Sequence, residues 1–147
     1  MPFDKMDNAI TSFRGEFAFL SNMFTSPIIV DGVEYRSVEN FFQAQKCMDP
    51  AERKRIASLS PREAKGAGRH VRLRKDWNSI RMQVMETGLE AKFADPFLRK
   101  SLLDTGHRPI TEENTWGDRF WGTVNGCGQN HLGKMLMLIR EKIRDDP

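Results

Sequence analysis

The stretch Ser37–Val38–Glu39–Asn40–Phe41–Phe42–Gln43–Ala44–Gln45–Lys46 predicts a helix around which the rest of the chain is organised. Ser37 is suited to the N-cap, because its hydroxyl accepts a hydrogen bond from a backbone N–H that the helix leaves unpaired. A largely apolar face then follows at helical spacing, made of Val38, Phe41, Phe42 and Gln45. A second, polar face has i, i+4, i+7 spacing and consists of Glu39, Gln43 and Lys46.

The polar face of this helix has two interpretations. A helix rise of roughly 10 Å separates Glu39 from Lys46. That is too far for an ordinary surface ion pair, but it suits a small molecule laid along the helix. The more common role for polar residues at this spacing is a solvated stripe. Both interpretations are open on the spacing alone.

The composition is typical of an ordinary soluble globular protein, with 39% hydrophobic and 29% charged residues in a chain of 147. This length predicts one domain with its own core. The two cysteines do not make a disulfide framework, and neither they nor the three scattered histidines have metal-ligand spacing. We therefore predict no metal and no cofactor. No apolar run of membrane length and no signal peptide is found, which predicts a cytoplasmic location without a membrane partner.

The net charge of +3 is unevenly spread along the chain. One segment concentrates basic side chains, namely Lys65, Arg69, His70, Arg72, Arg74 and Lys75. Such a basic segment attracts a phosphorylated ligand or a nucleic acid. Alternatively, it is a solvated connection between two helices.

Local signals predict a hairpin and two short helices around the Ser37 helix. Ile28–Tyr35 is typical of a β-hairpin, with Asp31–Gly32 as its two-residue turn. A short helix is expected over Glu52–Leu59. Ser60–Glu63 then forms a capping box with Pro61 at the first helical position.

Longer helices are predicted further along the chain. Asp76 is expected to cap a helix from Trp77 to about Phe93, with apolar residues on two sides. Pro96 begins another helix, in which Phe97 is expected to point inward with Leu98, Leu102 and Leu103.

An aromatic loop, residues 113–122, holds two tryptophans, two glycines and two carboxylates within Glu113–Asn114–Thr115–Trp116–Gly117–Asp118–Arg119–Phe120–Trp121–Gly122. Loop aromatics of this density indicate either a plug of the core or a platform for a ligand. Planar ligands such as nucleobases stack on such rings, for about 1–3 kcal/mol each.

A glycine-rich turn, Gly126–Asn130, precedes the last predicted helix, and Asn130 is expected to cap that helix. Backbone N–H groups and the positive end of the helix dipole suit a phosphate at such a turn. The turn matches neither the Rossmann nor the Walker pattern, so it is a weak motif.

Five segments in this order resemble the YbiA-like N-glycosidase family, also called the NADAR (NAD- and ADP-ribose-associated) domain. They are Leu20–Phe24, the Asp31–Gly32 hairpin, Ser37–Lys46, the Asn114–Gly122 part of the aromatic loop, and Gly128–Gly133. The resemblance runs from about Ile10 to Ile143. It implies one domain over residues 1–147 with an α+β fold that is compact and mainly helical and has a small antiparallel sheet.

The same resemblance implies an enzyme that hydrolyses N-glycosidic bonds at ribose C1. One branch of the family acts on phosphorylated ribosylamino-pyrimidine intermediates of riboflavin biosynthesis. Another branch removes ADP-ribose from modified guanine bases. The expected partner is therefore a phosphorylated ribosyl or ADP-ribosyl small molecule, with ADP-ribosylated nucleic acid as an alternative.

Matching positions imply which residues form the site. The catalytic candidates are Glu39, Lys46 and Asp118, and the substrate-binding candidates are Asn22, Gln43, Trp116, Trp121, Gly128 and Asn130. The sequence departs from some relatives at Phe41–Phe42, where a tyrosine or histidine often stands, and Arg119–Gly122 varies between branches. These departures leave the choice of leaving base open.

The chemistry assigns possible roles to the catalytic candidates. N-glycoside hydrolysis passes through an oxocarbenium-like sugar, which needs negative charge near C1 and a proton for the departing base. Of Glu39 and Asp118, one would stabilise the cation or activate water and the other would assist the leaving group. Lys46 either holds a phosphate as a point charge or attacks C1 as a desolvated amine.

Two non-enzymatic interpretations remain beside the hydrolase. A binding module for ADP-ribose or a related nucleotide would bind tightly without releasing base. A nucleic-acid-binding protein would use the basic residues between Lys65 and Lys75 together with the tryptophans, and its binding would depend strongly on salt.

Overall fold

The structure, a computed structural model, describes residues 8–146. Its regular elements are a 3₁₀ helix (Gly15–Leu20), strands β1 (Ile28–Val30) and β2 (Val33–Tyr35), and helices α1 (Val38–Ala44), α2 (Pro50–Ser58), α3 (Pro61–Ala67), α4 (Trp77–Lys92), α5 (Pro96–Asp104) and α6 (His131–Asp145). The predicted α+β fold, mainly helical with a small antiparallel sheet, is confirmed. Among these helices none combines the length and the apolar character needed to cross a membrane.

The described residues group into two compact units. One unit is Asn22–Asp95, and the other joins the residues up to Ser21 to those from Pro96 onward. A single domain over residues 1–147 stays a prediction, and residues 1–7 and 147 lie outside the described part.

The hairpin of the first unit has the predicted turn. Ile28 pairs with Tyr35 and Val30 with Val33, in antiparallel register. Asp31 and Gly32 take φ angles of 50° and 79°. Positive φ at both central residues is the geometry of a type I′ turn, whose twist matches that of the flanking strands.

Helix α1 is the central element of the first unit. Its N-cap is confirmed, since the backbone N–H of Asn40 donates to the Ser37 hydroxyl over 3.2 Å. Every residue of the helix is buried, and it packs against α2, α3 and α4. The Asn40 amide donates to the carbonyls of Ile56 and Leu59, at 2.9 and 2.8 Å, and so holds the end of α2 against α1.

The helix starts of this unit confirm one predicted cap and correct another. In the capping box, the Glu63 N–H donates to the Ser60 hydroxyl and the Glu63 carboxylate accepts from the Ser60 N–H, both at 3.1 Å. Asp76 stands at the N-cap of α4 but makes no side-chain cap. Its carboxylate instead accepts from the Arg74 guanidinium at 2.6 and 3.1 Å. Helix α2 begins at Pro50, before the predicted Glu52.

Helix α5, in the second unit, does not have all the predicted residues on its buried side. Leu102 is fully buried, whereas Phe97 is 83% exposed. Five helical residues correspond to roughly 140° of rotation, so Phe97 lies nearly opposite the buried stripe that contains Leu102. The prediction that Phe97 points inward was therefore wrong.

Candidate functional site

The polar face of α1 is buried, not solvated. Glu39 is 8% exposed and Gln43 5% exposed. The Gln43 Nε2 donates to Glu39 Oε1 over 2.9 Å, and the Glu39 backbone N–H donates to the Asn22 carbonyl over 3.1 Å. The solvated-stripe interpretation is wrong for Glu39 and Gln43.

Lys46 follows this face just beyond the end of α1. Burial lowers the pKa of its ammonium, the Glu39 carboxylate partly opposes that effect, and the cations of Arg69 and Lys65 add to it. Its Nζ lies 5.7 Å from the centre of the Phe42 ring, within cation–π range. An amine in this setting loses its proton more readily than an exposed lysine does.

Two residues of the basic segment affect the ionisation of Lys46. Lys65 belongs to α3 and Arg69 follows it, and both cations act electrostatically on Lys46. Arg74 has a different role, because its backbone N–H donates to the Lys46 carbonyl over 2.8 Å and its guanidinium binds Asp76. Lys65 and Arg69 are therefore the cations of the basic segment that act on Lys46.

Asn22 adds a buried amide to the same unit. Its Nδ2 donates to the Met85 sulfur over 3.4 Å, and sulfur is a weak acceptor. Its Oδ1 is buried and finds no hydrogen-bond partner among the described residues. An unpaired buried acceptor is costly, so a donor on a bound ligand would be favourable here. Four predicted site residues thus lie together in this unit: Asn22, Glu39, Gln43 and Lys46.

Asp118, in the second unit, shapes the aromatic loop. Its Oδ1 accepts from the backbone N–H groups of Phe120 and Trp121, at 3.0 and 2.9 Å. Asn114 braces the same turn, because its amide accepts from the Asp118 N–H at 3.0 Å and donates to the Asp118 carbonyl at 2.8 Å. Sequence reasoning did not assign this role to Asn114, although an asparagine near an aspartate in a loop is a turn signal. A catalytic role for Asp118 stays a prediction.

The two tryptophans of the loop differ in exposure. Trp116 is 59% exposed, so its interpretation as a core plug is wrong and the platform interpretation remains. Trp121 is half-buried and meets the Phe120 ring edge-to-face, with centres 4.8 Å apart. The Phe120 ring also lies 4.5 Å from that of His131.

The glycine-rich turn already binds a carboxylate of the protein itself. Glu113 accepts from the N–H groups of Asn125 and Gly126, at 2.8 and 3.0 Å, and from the Thr123 hydroxyl at 2.6 Å. These hydrogen bonds hold the pKa of Glu113 below its usual value. A phosphate at the start of this turn would have to displace Glu113 from the Gly126 N–H. The N–H groups of Cys127, Gln129 and Asn130 already donate to backbone carbonyls.

Gly128 and Asn130 have packing roles in the structure. A Cβ on Gly128 would stand 2.4 Å from the Gly122 carbonyl oxygen. The prediction that the Asn130 side chain caps the last helix was wrong, because it makes no cap hydrogen bond there. Its side chain instead accepts from the Glu112 N–H and donates to the Ile110 carbonyl, each at 3.0 Å. Substrate contacts by Gly128 and Asn130 stay predictions.

Two open clefts of similar size lie in the first unit, and neither includes the Glu39–Gln43 pair. One of about 800 Å³ is lined by Cys47, Met48, Asp49, Glu52 and the residues from His70 to Asp76. The other, of about 780 Å³, lies beside the hairpin and the Phe41 and Gln45 face of α1. The buried charges and hydrogen bonds, not cavity size, identify the candidate site.

We expect Trp116→Ala to weaken substrate binding by roughly 1–3 kcal/mol if the exposed ring stacks on the leaving base. Substrate KM measured by base release tests this, with thermal unfolding as the control for stability. Lower thermal stability with an unchanged KM would contradict the platform role.

Comparison with known proteins gives the same assignment over nearly the whole chain. The NADAR domain profile matches residues 7–144. The N-glycosidase YbiA of Escherichia coli K12 is 38% identical over 146 residues, which cover 94% of this chain and 91% of that protein. A riboflavin biosynthesis protein of Vibrio vulnificus is 34% identical over 134 residues, covering 86% of this chain and 36% of that protein.

A solved structure supports the fold as well. The NMR structure of E. coli YbiA matches with a TM-score of 0.82 and 37% identity, over 95% of this chain and 87% of that one. The fold and the sequence therefore agree, and the chain belongs to the NADAR domain family and is related to its N-glycosidases.

Proposed function

We propose that this N-glycosidase hydrolyses the bond between ribose C1 and a base or amine in a phosphorylated ribosyl substrate. Ribosylamino-pyrimidine phosphates of riboflavin biosynthesis are the substrate class we favour. The names of the E. coli and V. vulnificus relatives support the reaction and this substrate class. The observation that carries the proposal is the buried Glu39–Gln43 pair beside a lysine of lowered pKa.

Glu39 would stabilise the sugar cation. As the bond to the base breaks, positive charge develops at C1 and the ring oxygen. A fixed carboxylate in a site with little water stabilises that charge more strongly than solvent does. Gln43 holds Glu39 Oε1 by a hydrogen bond of 2.9 Å, so the carboxylate needs little rearrangement during the reaction.

Lys46 is proposed as the nucleophile. The neutral amine attacks C1, the C1–N bond to the base breaks, and the base leaves with a proton. Opening of the ribose ring then gives an imine between Nζ and C1, and water hydrolyses this imine to release the sugar and regenerate the amine. Burial lowers the pKa of Lys46, which raises the fraction of amine that can attack at neutral pH.

The leaving-group side of the reaction rests on predicted residues. Asp118 is the candidate that protonates the departing base, with Trp116 and Trp121 as the surfaces on which the base would stack. We also propose that the enzyme works in the cytoplasm.

A second candidate function is removal of ADP-ribose from guanine bases, including those of nucleic acid. The observation in its favour is the exposed basic run after Lys65, which includes Arg69, His70 and Arg72. Additional phosphates of an ADP-ribosyl or nucleic-acid substrate would find cations there.

The test is a mass-spectrometric screen for released base. The purified protein is offered ribosylamino-pyrimidine phosphates, ADP-ribosylated guanine nucleotides and NAD. Release from the first class supports the favoured substrate, and release from the second supports the alternative. Tight ADP-ribose binding without release would indicate a binding module, and salt-dependent binding of unmodified DNA or RNA would indicate a nucleic-acid-binding protein.

The phosphate contact gives a separate prediction. Arg69→Gln is expected to raise KM for the phosphorylated substrate by about tenfold, because it removes the cation that would bind the phosphate. That factor corresponds to a loss of roughly 1.4 kcal/mol in binding free energy. The dephosphorylated substrate should show little difference between the variant and the wild type, since it lacks the group that Arg69 holds. Steady-state kinetics with both substrates give the comparison.

Arg62→Gln is the matched control for this prediction. Arg62 is an exposed residue of α3, and the cations that lower the pKa of Lys46 are Arg69 and Lys65. Its KM should equal that of the wild type. If Arg69→Gln raises KM for both substrates equally, Arg69 does not bind the phosphate.

A further inference from the structure

Gly68 lies directly against the side chain of Gln43. A Cβ on Gly68 would stand 1.8 Å from Oε1, 2.7 Å from Cδ and 3.2 Å from Cβ of Gln43. Gly68 has φ −61° and ψ −20° at the end of α3, a conformation that any residue adopts. Space beside Gln43, not backbone freedom, is therefore what requires glycine at this position.

The orientation of the Gln43 amide is set by Glu39. Its Nε2 donates to Glu39 Oε1, whereas the reversed amide would place an oxygen against a carboxylate oxygen. The Gln43 Oε1 is then buried without a hydrogen-bond partner in the described chain, facing the Cα of Gly68. A Cα–H···O contact with that glycine is weak compensation, so the amide is held by Glu39 on one side and by close backbone on the other.

The same contact controls the approach of α3 to α1. Helix α3 carries Lys65 and leads through Gly68 to Arg69, and both cations act on Lys46. A side chain at position 68 would have to push the Gln43 amide away from Glu39, or push the end of α3 away from α1.

We propose that Gly68 is a positioning residue that acts through Gln43 to fix the carboxylate of Glu39. The proposal rests on the proposed function of Glu39 at ribose C1. In the proposed reaction Gly68 contacts no reacting atom. Its role is to leave space for the Gln43 amide that holds Glu39.

The test compares two glycine-to-alanine changes, one in the last turn of α3 and one at the residue that follows it. Gly68→Ala is expected to lower kcat by about 10- to 100-fold with a smaller effect on KM, the cost of misplacing a catalytic group by about 1 Å. Gly66→Ala is the matched control, because a Cβ there meets nothing within 4 Å. It should keep the wild-type kcat and gain some stability, since alanine restricts the unfolded chain.

A double-mutant cycle shows whether Gly68 acts through Gln43. In a Gln43→Ala background, Gly68→Ala should cause no further fall in kcat, because Oε1 and Cδ, the two atoms that crowd position 68 most, are gone. If the single Gly68→Ala variant does not fold, the double variant decides. It should fold and match Gln43→Ala, and failure of the double variant to fold would overturn the proposal.

An activity-independent readout is the side-chain amide signal of Gln43 in an NMR ¹⁵N–¹H correlation spectrum, assigned by its loss in Gln43→Ala. Gly68→Ala should move this signal and Gly66→Ala should not. An unchanged signal, or a further fall in kcat in the Gln43→Ala background, would overturn the proposal. A wild-type protein that releases no base from any substrate would contradict the proposed function, while the amide signal would still test the contact.

Discussion

Glu39→Gln is expected to lower kcat by about 100- to 1,000-fold, the cost of removing one preorganised charge-stabilising group from an active site. Glutamine keeps the size of the side chain and its ability to bond Gln43, but it removes the negative charge that faces the developing sugar cation. KM should change much less, because the ground-state sugar carries no such charge. Initial rates of base release against substrate concentration give both parameters.

Glu52→Gln is the control for this change. Glu52 lies on α2 and pairs with Arg55 at the surface, 2.6 Å apart, so its carboxylate has no part in the proposed reaction and activity should be unchanged. Circular dichroism and thermal unfolding should show that Glu39→Gln remains folded. A fully active Glu39→Gln enzyme would remove the assignment to α1 and shift it to Asp118 and its neighbours.

The parts of the fold that sequence predicted well are specified by neighbouring residues. The Ser37 cap, the Asp31–Gly32 turn and the Ser60 capping box each depend on groups no more than three residues apart. Local hydrogen-bond geometry and backbone sterics decide such features. They therefore appear in the structure as the sequence indicates.

Two predicted helix caps are absent because other groups bind those side chains, and one buried lysine was not predicted at all. Aspartate is a favoured N-cap residue, but the Asp76 carboxylate pairs with the Arg74 guanidinium instead of capping α4. Asn130 stands at the N-cap of α6, yet its amide binds the segment around Ile110. Lys92 lies in α4 at 1% exposure, where burial lowers its pKa to about 7. A pattern of apolar residues does not predict such a lysine.

The candidate site also has features that the sequence predicted and features that only the fold shows. Helical spacing correctly placed Glu39 and Gln43 on one face, but spacing does not show whether that face is solvated or buried. Burial follows from the packing of α3 and α4 on α1, where Gly68, far from Gln43 in the sequence, lies against the Gln43 side chain. The phosphate role of the glycine-rich turn was plausible from its composition, and only the fold shows that Glu113 already binds the N–H groups where the turn begins.

Lys46→Arg is expected to lose at least about 99% of the activity if Lys46 is the nucleophile, although the positive charge is kept. Arginine stays protonated and cannot form an imine with C1. Borohydride added to the wild-type enzyme during turnover should reduce the imine and leave the sugar covalently attached to Lys46, located by peptide mass spectrometry. Lys54→Arg, the same change at an exposed position of α2, should keep full activity and trap the sugar on Lys46.

The pH dependence separates the two roles of Lys46 by its sign. Burial lowers the pKa of Lys46 below its usual value of 10.5, and the attacking species is the neutral amine. A nucleophilic Lys46 therefore makes kcat rise with pH and level off above that lowered pKa. A lysine that only holds phosphate needs its proton, so KM would instead rise as the ammonium is lost across the same range. A substantially active Lys46→Arg enzyme with no trapped adduct would assign Lys46 to the phosphate, beside Arg69 and Lys65, and water would then have to attack C1 with Glu39 as its base.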